Sequence, residues 1–374
     1  MAADSQQREL LRLRLGAHGI GGTDTPLHVL ERMLAIQAQD FAAARWAIGI
    51  RSGVTDAAVL DAFDRGELVR AWTMRGTLFT VPAVDLGWML ALTGPRMLAQ
   101  ATTRRAQLGI DEAMLDRVQA ICDDALASAD DLARDEFMTL LVENGIDPTG
   151  QRGYHLIAHL AQTGYWAWGP VRDGVQRLVP TERWIRESRT LERDEALAEF
   201  VTRYLRGRGP ATVRDFAGWS KLTLTDSRRG LEIARTDGRV VPFDADAGLW
   251  STADAETTAA TATTADAGRR AFTASVHLLP GFDEYYLGYT DRGPIIDPAN
   301  EDAVVPGRNG VFQPTVVAAG RVIGTWRRRS SRAGVGVEVR PFDGRPPSAS
   351  RMKAIERSTA AYAAFLGQSH VRSQ

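Results

Sequence analysis

The chain has 374 residues, 44% hydrophobic and 24% charged, with a formal net charge of −1. That composition excludes a disordered or fibrous chain, and the length leaves room for two or three modules. No run reaches the roughly 18 to 20 apolar residues of a membrane span, and the opening Met-Ala-Ala-Asp-Ser-Gln-Gln-Arg lacks the apolar stretch of a signal peptide, so a cytoplasmic protein is expected. In chain order, Gly19-Ile20-Gly21-Gly22 resembles a phosphate loop only loosely, with no preceding strand and no following Lys-Ser or Lys-Thr. It reads better as a loop before a helix that starts at Thr25-Pro26 and presents Leu27, Leu30, Met33 and Leu34 on one face of an amphipathic run reaching Ile36. Gln37-Ala38-Gln39 follows, and then a second apolar-periodic segment, Phe41 to Ile50.

Helix 57–63 and the strand-like stretch 67–81, bent at Gly76, complete a helices-then-hairpin plan that defines a winged helix. A second unit follows, with helices 131–144 and 154–162 and a wing through Tyr165, Trp166, Trp168 and Val171 to 175–179. A third has helix 195–205, a break at 207–210, helices from Thr212 and from Thr223 joined by a turn at 220–222, and strands at 239–243 and 249–250. The Thr/Ala/Asp/Glu stretch 251–268 has little to bury and reads as a linker or mobile loop. Strand-like runs at 275–279, 284–289, 311–317, 322–326 and 335–339, closed by helix 350–365, form a β-rich module, a small barrel or curled sheet. The expected division is 1–100, 101–190 and 191–250 for the three winged helices, 251–270 for the linker and 271–374 for the β module.

Several chemistries can be set aside. His155 and His159 stand i, i+4, but Leu-Ile-Ala lies between them, without the Glu of a metalloprotease or an obvious third ligand, so no metal is expected. They suit the second recognition helix or partly buried polar contacts. The single cysteine, Cys122, reads as a small core residue, and Asp123, Asp124, Asp130 and Asp131 as solvated helix ends. No cofactor motif is present.

The charge distribution says more than its sum. All but two of the 45 basic residues are arginine, lysine standing only at Lys221 and Lys353. Arginine forks onto phosphate and stacks on bases. It clusters at Arg203, Arg206, Arg208 and Arg214, at Arg228 and Arg229, and at Arg327, Arg328, Arg329 and Arg332. Any one cluster reads equally as a solvated face paired with acids, but the set as a whole points to nucleic acid.

Within a helix Gln37 and Gln39 would point about 200 degrees apart, whereas in extended backbone i and i+2 share a side. A paired role therefore requires the chain to leave the helix at about Ile36. Two amides can hold a water, orient a sugar and stabilise developing positive charge, but they are not strong bases. They suffice only for a leaving group that is already activated, such as a purine made cationic by alkylation at N7. On spacing alone, a pair of helix-end glutamines bonded to backbone explains them better.

Four motifs shift that balance: Ala-Ile-Gln-Ala-Gln at 35–39, Met-Arg-Gly-Thr-Leu at 74–78, Leu-Leu-Pro-Gly-Phe-Asp-Glu-Tyr-Tyr-Leu-Gly-Tyr at 278–289 and Gly-Arg-Val-Ile-Gly-Thr-Trp-Arg at 320–327. Through them nearly the whole chain resembles the winged-helix DNA glycosylases of the AlkZ type. The resemblance implies an α+β fold of three tandem winged helices in a C-shaped array with a C-terminal β-barrel-like module. It implies excision of N7-alkylated purines from double-stranded DNA, including unhooking of interstrand cross-links as self-resistance to a DNA-alkylating natural product, with Gln37 and Gln39 catalytic. The chain departs from the expected pattern at Phe79, where many relatives are expected to carry His, and it has Gln where a related branch has Asp at position 39, although Asp40 stands beside it. With only Lys221 and Lys353 as side-chain amines, both remote in sequence from the glutamines, a monofunctional enzyme is expected. Candidate DNA contacts are Arg75, Lys221, Arg228, Arg229, Arg327 and Arg328, each with a salt-bridge alternative, and a monomer is expected. The competing readings are a non-catalytic winged-helix regulator and a structural nucleic-acid adaptor.

Overall fold

The computed structural model describes residues 2–254 and 266–371, so 255–265, most of the expected linker, lies outside the described residues. The strand Leu249–Thr252 and the helix Asp266–Thr273 take up the two ends of that stretch. The chain divides into two compact units, residues 60–196 and residues 1–59 with 197–374. Among the described residues no helix is long and apolar enough to cross a membrane.

Three α/β repeats resembling winged helices follow one another along the chain. The first has helices Pro26–Met33, Phe41–Ser52 and Asp56–Asp64 and the hairpin Leu68–Met74 with Thr77–Pro82. The second has helices Glu112–Leu126, Arg134–Glu143 and Arg152–Gln162 and the hairpin Trp166–Arg172 with Val175–Pro180. In the unit 60–196 the two hairpins join edge to edge through Arg70 and Trp168, giving the strand order 77–82, 68–74, 166–172, 175–180, 132–133. The core beneath is made by Trp72, Val118, Phe137, Leu156 and Trp166. Cys122 belongs to it, and burial pushes its thiol up to about 12, which makes it a packing residue. Phe79 is fully buried within the first hairpin.

The third repeat shows how local sequence sets element ends. Thr212 caps the helix Val213–Ser220 by accepting from the Asp215 N–H, while the Asp215 carboxylate accepts from the Thr212 N–H. Thr223 caps the next helix, Leu224–Thr236, by accepting from the Asp226 N–H. That helix lies so close to Arg193–Arg208 that a Cβ at Gly230 would stand 2.5 Å from the Leu197 carbonyl oxygen.

The C-terminal module departs from the expected barrel. Its four strands, Val276–Leu279, Thr315–Ala318, Arg321–Ser331 and Gly334–Pro341, pair antiparallel in chain order, and the first does not pair with the last, so the sheet stays open. The edge groups are satisfied in other ways. Val335 N–H donates to the Ser369 carbonyl and the Val335 carbonyl accepts from Val371 N–H, while Trp46 Nε1 donates to the Leu278 carbonyl. The helix Ala349–Phe365 packs on the strands 276–279 and 334–341, the two edges of the open sheet. The strand-like run 284–289 is instead one helical turn, Glu284–Leu287, capped by Asp283 accepting from Tyr285 N–H. Its aromatic alternation mimics a strand, but the tyrosines are placed by polar ends: Tyr285 Oη donates to the Gly320 carbonyl and Tyr289 Oη to the Arg208 carbonyl.

Gly230→Ala weighs propensity against packing. Alanine gains about 1 kcal/mol of helix propensity, whereas forcing two backbones apart costs about 1–3 kcal/mol. A lowered urea midpoint is expected, and a raised one would refute the close approach.

Candidate active site

The helix Pro26–Met33 stops short of Ile36, and it stops for a tertiary reason. Leu34, fully buried, adopts φ 60° and ψ −49°, and Ala35 N–H donates to the Met33 carbonyl at 2.8 Å. That is a γ-turn of the strained hand, and a left-handed leucine costs on the order of 1–3 kcal/mol. Two buried arginines add donors to the carbonyls at this helix end, those of Leu30 and Met33 already accepting from Leu34 N–H and Ala35 N–H. Arg203 Nη2 donates to the Leu30 carbonyl at 3.1 Å, and Arg208 donates through Nη1 to Met33 and through Nη2 to Ala35, both at 2.8 Å. Two members of the first arginine cluster are therefore internal splints for the helix end.

Beyond the turn, Ile36–Gln37 is extended. The Gln37 N–H donates to Glu284 Oε1 at 2.9 Å. The other oxygen of that carboxylate accepts from Arg208 Nη2 and from Trp219 Nε1, each at 2.7 Å. Glu284 and Arg208 are both fully buried. The Arg208 guanidinium also lies over the Trp219 ring, 4.1 Å from its centroid. The Gln37 side chain, 5% exposed, turns forward so that its Oε1 accepts from the Gln39 N–H at 3.2 Å. Gln39 is exposed. The segment has left the helix before Gln37, as a paired role requires, and the Gln37 amide is bonded to the main chain of Gln39. Asp40 Oδ1 accepts from Ala43 N–H at 3.0 Å and caps the helix Phe41–Ser52, so this carboxylate begins a helix.

A second buried network supports the first. Asp283 makes a bidentate pair with Arg51, both contacts at 2.8 Å. Arg51 Nη2 also approaches His18 Nδ1 at 3.3 Å, and because a guanidinium can only donate, Nδ1 accepts. His18 Nε2–H then donates to Tyr289 Oη, which donates to the Arg208 carbonyl. Burial, reinforced by the charges of Arg51, Arg208, Arg14 and Arg32, holds the His18 imidazole well below its ordinary value of 6.5. Burial and Arg51 bring His277 down to about 4.

The candidate nucleic-acid contacts are dispersed. Lys221 is exposed at the left-handed end of Val213–Ser220, and Arg228 and Arg229 are exposed on Leu224–Thr236, so these three share the third repeat's helix-turn-helix. Arg75 lies at the hairpin tip of the unit 60–196 with φ 60°. Arg327 is paired with Glu338 at 2.6 Å, and Arg328 Nη2 donates to Gln368 Oε1 at 3.3 Å. His155 and His159 lie on Arg152–Gln162, both kept low, chiefly by burial. Glu284, Arg208 and Trp219 are parts of this site that no local pattern in the sequence ties to the glutamines. The available signal was the acidic pair Asp283-Glu284 inside an apolar, aromatic run, since a carboxylate buried there must be matched by a cation.

A helix end strained open to present two amides, embedded in winged-helix-like repeats, is the setting in which the family becomes legible. The model of the DNA glycosylase AlkZ-like family matches residues 30–365, and the chain belongs to that family. It is similar to the interstrand DNA cross-link repair glycosylase of Streptomyces sahachiroi, 26% identical over 367 residues, with 92% of this chain and 91% of that protein covered. The solved structure of Streptomyces sahachiroi DNA glycosylase AlkZ shares the fold with a TM-score of 0.77 at 22% identity, over 98% of each chain.

Two outcomes are expected. Glu284→Gln leaves the buried Arg208 charge uncompensated and should lower stability by about 3–5 kcal/mol, against about 1 kcal/mol for Trp219→Phe, which removes one hydrogen bond. Equal urea midpoints for the two variants would contradict the assignment. His18 and His277 stay neutral in the folded chain while the unfolded chain takes up protons. Stability is therefore fully present above about pH 6.5 and falls as pH drops toward 4, by at most about 1.4 kcal/mol per pH unit for each histidine. Urea titrations across that window should show a shallower slope for His18→Gln, and an unchanged slope would remove His18 from the account.

Proposed function

We propose that this chain is a monofunctional DNA glycosylase that hydrolyses the N-glycosidic bond of N7-alkylated purines in double-stranded DNA and unhooks interstrand cross-links, with Gln37 and Gln39 as catalytic residues. The observation that carries the reading is the splinted segment 36–39, a buried amide and an exposed amide in non-helical backbone with no uncommitted carboxylate beside them in the chain. Family membership supports the reaction class. The Streptomyces sahachiroi relative, an interstrand DNA cross-link repair glycosylase, supports the substrate.

The chemistry suits weak groups. Alkylation at N7 makes the purine a cation, so the electrons of the C1′–N9 bond leave with the base and neutralise it. The sugar becomes oxocarbenium-like, and the carbonyl oxygens of Gln37 and Gln39 stabilise that positive charge and hold the water that attacks C1′. The new C1′–O bond yields an abasic sugar, and the water's surplus proton passes to solvent. A strong general base is not required, because the leaving group carries the activation. Lys221, at a helix end, and Lys353, within Ala349–Phe365, take no part, so no Schiff base forms.

For DNA contact the reading assigns Lys221, Arg228 and Arg229 as one group on the third helix-turn-helix, with Arg75 separate. Arg327 and Arg328 are the weakest members, since their guanidiniums already serve Glu338 and Gln368. A monomer in the cytoplasm, protecting DNA against an alkylating natural product, completes the reading.

Release of 7-methylguanine from methylated duplex DNA should fall by at least about tenfold in Gln37→Ala and in Gln39→Ala with duplex binding retained. Borohydride should trap no enzyme–DNA adduct. Full activity in both variants would refute the catalytic assignment.

A further inference from the structure

The C-terminal sheet carries two groups of arginines with opposite fates. Arg327, Arg329 and Arg340 converge on Glu338, which they hold down to about 2. Arg321, Arg345 and Arg351 line one cavity of about 470 Å³, and none of the three forms an ion pair among the described residues. Two carboxylates share the lining, and neither pairs with these arginines among the described residues. Asp297 Oδ1 accepts from Ala299 N–H and Asp343 Oδ1 from Arg345 N–H, each at 3.0 Å, which fixes the two loops that shape the cavity.

Arg351 adds a second argument. It stands in the first turn of Ala349–Phe365, capped by Ser348, and that turn contains no acidic residue. A cation there opposes the positive end of the helix dipole, an arrangement that costs stability unless an anion answers it. Beside the arginines the lining includes Phe342, half-buried and held by its N–H to the Ile323 carbonyl, and the rigid pair Pro346 and Pro347. Three guanidiniums call for phosphate oxygens, which they bind bidentately, and an aromatic face beside them suits a base. The volume is in the range of small-ligand sites.

We propose that this cavity binds a nucleotide unit, its phosphates on Arg321, Arg345 and Arg351 and its base against Phe342, the unit being either a free nucleotide or part of a DNA strand. The site shares no residue with the Gln37 and Glu284 network and stands whether or not the glutamines are catalytic.

Calorimetric titration of the full chain with thymidine 3′,5′-bisphosphate and with inorganic pyrophosphate tests the proposal. Saturable one-to-one binding of the bisphosphate is expected, weakened about tenfold or more in Arg321→Gln and in Arg345→Gln. Phe342→Ala should weaken the bisphosphate and leave pyrophosphate unchanged. Displacement of the bisphosphate by a short oligothymidylate would identify the DNA strand as the source, and failure to displace it would identify the free nucleotide. No saturable binding at millimolar bisphosphate, or native affinity in both arginine variants, would overturn the proposal, as would equal weakening of both probes by Phe342→Ala for the placement of the base. Arg345 is an exposed loop residue, so its variant keeps the test decisive should Arg321→Gln fail to fold.

Discussion

One buried carboxylate organises the candidate active site. Glu284 accepts from the main chain at Gln37, from the Arg208 guanidinium and from the Trp219 indole, and so joins three segments that lie far apart in sequence. A charge sealed from water is tolerable only when it is paired and its lone pairs are used. That requirement makes the junction exacting, because loss of any partner leaves another buried polar group unmatched.

The same junction explains how a leucine can hold a left-handed backbone. The strain at Leu34 is local, but it is offset by the arginines that close the carbonyls of residues 30, 33 and 35 and by complete burial of the leucine side chain. Strain that surrounding contacts over-determine is a mark of functional segments. Beyond it lie two amides in non-helical backbone, one buried and bonded to the main chain of Gln39, the other exposed. Under the proposed role of the two glutamines such a segment gains from rigidity, since weak groups assist a reaction only when they need not be moved into place.

Arginine serves several purposes in this chain. Arg51, Arg203 and Arg208 are internal, Arg327 and Arg329 are occupied by Glu338, and Arg321, Arg345 and Arg351 line a cavity and form no ion pair among the described residues. Residue type and clustering pointed to polyanions, but clustering along the chain did not separate these groups. The cluster at 203–208 lies on a helix whose inner face meets another helix end, and the trio at the cavity comes from a strand start, a loop and a helix start.

Much of the architecture was legible in the sequence because it depends on local patterns. Thr25, Thr212 and Thr223 cap helices where a side-chain oxygen precedes an apolar-periodic run, Gly76 turns the first hairpin with positive φ, and alternation marks the two wings. The Gln-Ala-Gln segment was legible as a candidate by motif alone. Where local pattern and long-range pairing disagreed, the pattern misled. The Glu284–Leu287 turn looks like a strand because its aromatics alternate, the helix before the glutamines looks long enough to reach Ile36, and four amphipathic strands look able to close. In each case partners remote in sequence decided: Asp283 with Arg51, Arg208 with the carbonyls of Met33 and Ala35, and the tail at Ser369 and Val371 with the last strand's edge. The sequence by itself determined the elements, their caps and the identity of the two amides, since these follow from side chains acting on their own neighbourhood. Only the tertiary structure decided that the amides leave the helix and that the β module stays open, because a buried charge and an unpaired backbone group take whichever partner folding brings within reach.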